Sequence, residues 1–185
     1  MTSPARLNAV RRFWADRSGV AAVEVAIWAA FIVVPVFSVV DIGDYIRRRM
    51  QVEAAGQAAM AKAWVFCNTA AKLPAVKNCT GLSTAMTTSA QSTSLGAGVT
   101  LSGTTEGYYC VNGSGALTQV GSTATFGGTP TGAATNCTTV GGVSGTPSLY
   151  ISSTATYSYT PLVGSLSVAA LLPSPITKTV WMRLS

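Results

Sequence analysis

The sequence predicts an α+β fold: a long N-terminal α-helix that crosses a membrane in its first half and packs its second half on a small antiparallel β-sheet domain. Three observations carry this reading. Residues 20–40 form an apolar block whose one charge is Glu24. An apolar stripe at steps of three and four continues beyond the block as far as Val65. Near the C-terminus two segments alternate apolar and polar side chains, the pattern of half-buried strands.

In chain order, residues 1–19 read as a basic leader carrying Arg6, Arg11, Arg12 and Arg17. Leu7, Val10 and Trp14 have helical spacing within it and suit contact with a membrane surface. Residues 20–40 read as a transmembrane segment, its 21 positions matching the roughly 20 apolar residues that span a bilayer. A buried core helix rarely runs this long. A cleaved secretory signal has an apolar region of about 7–15 residues and small residues at its end. Here the block is longer and is followed by Asp41-Ile42-Gly43-Asp44-Tyr45.

Residues 41–66 read as an extracytoplasmic extension of the same helix. Ile42, Ile46, Met50, Ala54, Ala58, Ala61 and Val65 share one stripe, and the Ala-rich run 54–63 favours helix strongly. A helix from Val20 to about Trp64 is roughly 68 Å long at 1.5 Å per residue. Pro35 is expected to kink it, because proline removes a backbone hydrogen bond.

Residues 67–185 read as a Ser/Thr/Gly-rich antiparallel β domain, with about half of residues 78–177 drawn from those three types. Leu149, Ile151, Ala155, Tyr157 and Tyr159 alternate with hydroxyl and tyrosine side chains. Ile176, Val180, Met182 and Leu184 alternate with Thr177, Thr179, Trp181 and Arg183. The two strands are expected to pair across the intervening residues 161–175, with weaker strands at 107–111 and 116–120.

Charge narrows the function. The chain has 185 residues, 10% of them charged, and no histidine. Ser-His-Asp and Cys-His catalysis and imidazole metal sites are thereby excluded, and six acidic residues offer little for paired-carboxylate chemistry. No enzymatic activity, cofactor or metal is expected. The net charge of +6 is concentrated in the leader and in Arg47, Arg48 and Arg49; from residue 78 to 177 Glu106 is the only charged side chain. A nucleic-acid binder needs a basic face on its folded domain, so these arginines read as topogenic. The leader slightly outweighs the second cluster, which favours a cytoplasmic N-terminus. Cys67, Cys79, Cys110 and Cys137 all follow the block, as two disulfides in an oxidising compartment would require. Of the three pairings that four cysteines allow, Cys67–Cys79 with Cys110–Cys137 closes the shorter loops.

The most informative local feature is Gly19-Val20-Ala21-Ala22-Val23-Glu24 at the junction of leader and block. Together with Asp16-Arg17-Ser18 before it, Val25-Ala26 after it, Pro35 and the helix through Ala61, it resembles the TadE-like proteins of tight-adherence (Flp-type) pilus systems. Tyr157-Ser158-Tyr159-Thr160-Pro161-Leu162 is a second, weaker match. Val25 stands where that family usually has phenylalanine, and TadF-like and TadG-like proteins share this kind of N-terminus. The resemblance covers residues 13–64 and implies a type IV pilin-like fold. It also implies a pseudopilin or minor pilin, cut by a prepilin peptidase between Gly19 and Val20. Glu24 would then pair with a neighbouring subunit's α-amino group.

The partners so implied are the peptidase, other pilins and the pilus assembly machinery, and the membrane. The chain would sit in the bacterial inner membrane, its C-terminal domain periplasmic or carried into the fibre. Ala22, Ala26 and Ala30 lie at steps of four, as small residues do where helices pack closely in membranes. An alternative is a membrane-anchored adhesive module, whose uncharged hydroxyl-rich surface and exposed aromatics would contact carbohydrate or a solid surface.

Overall fold

The computed structural model describes residues 18–132 and 136–185. The leader, with Leu7, Val10, Trp14 and its four arginines, lies outside the described residues apart from its last two positions. The layout is α+β: a long apolar helix and a four-stranded antiparallel sheet.

Helix α1 is Ser18–Phe66, and its 49 residues run through Pro35 without a break. By compactness the chain divides into two units. One comprises α1 up to Asp44 together with Pro161–Leu172; the other comprises Tyr45–Thr160 and Pro173–Ser185. In the first unit α1 has almost no protein against it. Among residues 20–40 with described side chains only Ser38 is buried, while Phe31, Val25 and Val39 are 72%, 68% and 70% exposed.

In the second unit, Tyr45–Phe66 of α1 packs on the sheet. The strands are β1 (Val99–Val111), β2 (Leu117–Gln119), β3 (Ser148–Tyr157) and β4 (Ile176–Arg183), in the order β2-β1-β3-β4. The β3–β4 pairing runs from Tyr150 opposite Arg183 to Tyr157 opposite Ile176. The buried positions of this half are Tyr45, Val52, Ala55, Gly56, Ala59, Met60 and Ala63. The glycine and alanines among them let helix and sheet approach closely, to the point that a Cβ on Gly56 would lie 2.7 Å from Cγ2 of Val180.

That face is not the stripe the sequence suggested. Ile46, Met50, Ala54, Ala61 and Val65 are exposed, because fit against the sheet, rather than side-chain size, selects the buried face. Two short helices complete the unit: α2 (Ala75–Asn78) and α3 (Leu82–Gln91). Helix α3 buries Leu82, Met86 and Ala90 at four-residue steps, and Ser89 Oγ donates to the Ala58 carbonyl of α1 at 3.0 Å.

β1 has 13 residues, of which sequence alternation marked the last five. A register shift between Ser102 and Thr105 interrupts its pairing with β3. Gly103 sits there at φ +60°, a conformation that glycine reaches at low cost. Disulfides join Cys67 to Cys79 and Cys110 to Cys137. The first ties the end of α1 to the end of α2; the second ties β1 to the 3₁₀ turn Cys137–Val140.

Candidate functional site

The positions singled out at the processing junction lie on the first turns of α1. Gly19, Val20 and Glu24 are all exposed, and nothing lies within 4 Å of a Cβ built on Gly19. Glycine is among the weakest helix formers, by about 0.5–1 kcal/mol relative to alanine. The peptide bond after Gly19 therefore lies in the turn that unwinds most easily. Glu24 follows five residues later and is exposed as well. Ala22 and Ala26 are exposed, one turn apart, and Pro35 is exposed too; the Ala30 side chain lies outside the described ones. The structure leaves this helix surface bare, apolar and continuous, with one carboxylate near its start. An 18-residue window of mean hydropathy 2.4, 12% of it buried, makes the helix long and apolar enough to cross a membrane.

Two buried carboxylates were visible in the sequence without any role assigned to them. Asp41 is the first charge after the apolar block and is fully buried. Its Oδ1 accepts the Leu162 N–H at 2.9 Å and its Oδ2 the Val163 N–H at 3.4 Å. One turn earlier, Ser38 Oγ accepts the Val168 N–H at 3.5 Å. Burial pushes the Asp41 carboxyl up. The hydrogen bonds from the Ser167 side chain and the Leu162 and Val163 backbone outweigh it and hold the group below the ordinary aspartate range. The signal for this arrangement was present in the sequence as a charge-free apolar stretch, bracketed by Pro161 and Pro175, between two predicted strands.

Glu106 on β1 is also fully buried. Its two oxygens accept the Ala75 and Val76 N–H groups at the start of α2, at 2.9 and 2.7 Å. Burial raises its pKa above the ordinary glutamate range, and the two backbone hydrogen bonds only partly offset that. The group is a structural clamp between β1 and α2.

The outer sheet face is uncharged except for Arg183 at one end. Thr154 and Thr179 share a hydroxyl hydrogen bond of 2.8 Å, and Thr105 and Ser152 one of 3.0 Å. Tyr109 meets Tyr150 and Trp181 edge to face at centroid distances of 5.9 and 5.2 Å, and Trp181 is 44% exposed. Among the described residues no group of three or more His, Cys, Asp or Glu side chains could hold a metal ion. No protein-family model, curated protein or solved structure matches the chain.

Proposed function

We propose that the chain is a pseudopilin or minor pilin that assists biogenesis of a Tad/Flp-type pilus, cut by a prepilin peptidase after Gly19 and packing laterally through residues 20–40. The observation that carries this reading is the bare apolar half of α1, with Glu24 five residues after Gly19. A soluble protein would bury such a surface; lipid, and then neighbouring helices, would cover it here.

Hydrolysis of the bond between Gly19 and Val20 removes the leader and frees the Val20 α-amino group. The leader takes four arginines and Asp16 with it, lowering the formal charge from +6 to +3. A carboxylate within lipid is costly, by up to roughly 2.5–3.5 kcal/mol at mid-bilayer. An α-amino group on an adjacent helix relieves that cost only once subunits associate, so Glu24 favours assembly over the isolated helix. Before extraction the chain sits as a single-pass protein of the bacterial inner membrane, N-terminus cytoplasmic and disulfide-bonded domain periplasmic.

The test is N-terminal sequencing after co-expression with an active prepilin peptidase. A mature chain beginning at Val20, and loss of that product in Gly19→Ala, are expected; an uncut chain beside a processed control pilin overturns the reading. A second reading, a membrane-anchored adhesive module, is favoured by the outer sheet face with its hydroxyl rows and half-exposed Trp181. Normal fibres with abolished surface attachment in Trp181→Ala, and no effect of Glu24→Ala, would support that module instead.

A further inference from the structure

We propose that the β3–β4 connector Pro161–Leu172 is a second membrane-contacting element, seated in the lipid interface where α1 leaves the bilayer. The proposal rests on the reading of residues 20–40 as a membrane span.

Its exposed surface is mostly apolar. The connector has no charged residue. Leu162, Val168 and Leu171 point outward, at 74%, 55% and 85% exposed, beside one exposed hydroxyl, that of Ser165, while Ser167 is turned inward at 3%. A water-facing loop normally keeps more of its large apolar side chains within.

The backbone is prepared in the same way. Irregular chain enters apolar surroundings only where its N–H groups already have acceptors. Those of Leu162, Val163 and Val168 are taken by Asp41 and Ser38 of α1. Further along, Ala169 N–H donates to Ser167 Oγ at 3.1 Å. The Ser167, Ala170 and Leu172 N–H groups donate to carbonyls three residues back, at 3.3, 3.0 and 3.1 Å.

Position identifies the occupant. Ser38 lies inside the apolar block and Asp41 is the first residue beyond it, so the connector is held level with the last turn of the block. On that turn Phe37, Val39 and Val40 are themselves 48%, 70% and 51% exposed. Lipid that covers these three residues meets Leu162, Val168 and Leu171 at the same level. The connector widens the apolar collar of the helix at the bilayer edge.

The experiment uses the full chain, disulfides intact, in vesicles of phosphatidylcholine and phosphatidylglycerol. A nitroxide is attached to one cysteine introduced at Leu162 or Leu171, with Ile32 as span reference and Val143 as water reference; all four side chains are exposed, so the labels leave the fold intact. Power saturation compares oxygen, which concentrates in lipid, with a water-soluble nickel chelate. Labels at 162 and 171 are expected to show an oxygen-to-nickel ratio several-fold above that at 143 and close to that at 32. Ratios equal to that at 143, with 32 still lipid-like, overturn the connector proposal and leave the span standing. If 32 also reads as water, the span reading fails and the connector falls with it. Exclusion of both reagents, with dipolar broadening that vanishes on dilution with unlabelled protein, would mean that a second copy covers the connector, which also overturns the proposal.

Discussion

The sharpest energetic prediction concerns Glu106. Its carboxylate is fully buried and serves two backbone N–H groups, those of Ala75 and Val76, which are 0% and 5% exposed as residues. Glu106→Ala orphans both donors where water does not reach. At about 1–3 kcal/mol for each unsatisfied buried donor, the loss is about 2–6 kcal/mol, reduced somewhat because a desolvated charge disappears as well. For a chain of this size roughly 2–4 °C of Tm accompany each kcal/mol, so a central loss of about 3 kcal/mol lowers Tm by roughly 6–12 °C. Glu106→Gln keeps one acceptor and sets its NH₂ against the other donor, so it is expected to lose about half as much.

The pH dependence has a definite sign. Burial raises the folded-state pKa above the unfolded one, so between the two values the folded chain holds a proton that the unfolded chain has lost. The contribution of this carboxyl to stability is greatest below the unfolded value and falls as pH rises through the folded value. The stability gap between wild type and Glu106→Gln therefore narrows as pH rises from below the unfolded value through the raised folded one. The assay is thermal unfolding of the full chain in detergent, followed by tryptophan fluorescence at several pH values. A Glu106→Ala variant within about 2 °C of wild type would refute the clamp, and a gap that widens with pH would refute burial as the dominant influence.

Two further outcomes are expected. Asp41→Ala removes the acceptor of the Leu162 and Val163 N–H groups, so amide exchange across Pro161–Leu172 should quicken in detergent while β3 and β4 stay protected. Because hydrogen bonds hold the Asp41 pKa down, its stabilisation is present above the ordinary aspartate value and is lost as pH falls through the lowered folded value. Unchanged exchange would mean that the connector is held by packing alone. Gly56→Val places a branched side chain where even a Cβ comes within 2.7 Å of Val180; overpacking of this kind costs about 1–3 kcal/mol and is read as a lowered Tm in the same unfolding assay.

The parts of the fold that could be read from sequence are those in which one physical requirement dominates. The long apolar first half of α1 follows from its run of apolar residues, and β3 and β4 follow from alternation, because each strand has one face on the helix and one turned away from it. The first half of β1 escaped because Gly103 and the register shift beside it break the alternation. Helix α3 escaped because its serines and threonines hide a stripe of only Leu82, Met86 and Ala90. On α1 the large residues Ile46 and Met50 suggest one face, whereas the buried face mixes Val52 and Met60 with glycine and alanine. Gly19 and Glu24 owe their proposed roles to a resemblance and to their place beside the apolar block; among the described residues neither makes a contact that would reveal a role. Asp41 and Glu106 could be identified as rare charges, but their partners are backbone groups up to 122 residues away in sequence, which no local pattern encodes.

The inward turn of Glu106 has a consequence for how this chain meets other molecules. With that carboxylate sealed inside, residues 78–160 present no formal charge at their surface. Encounters through that surface gain little steering from its own groups, so their rates lie near the unsteered regime of about 10⁵–10⁶ M⁻¹s⁻¹. Raising the ionic strength shortens the Debye length but leaves such encounters nearly unchanged. Whatever this surface touches, it recognises only on contact and equally well in dilute medium and in brine.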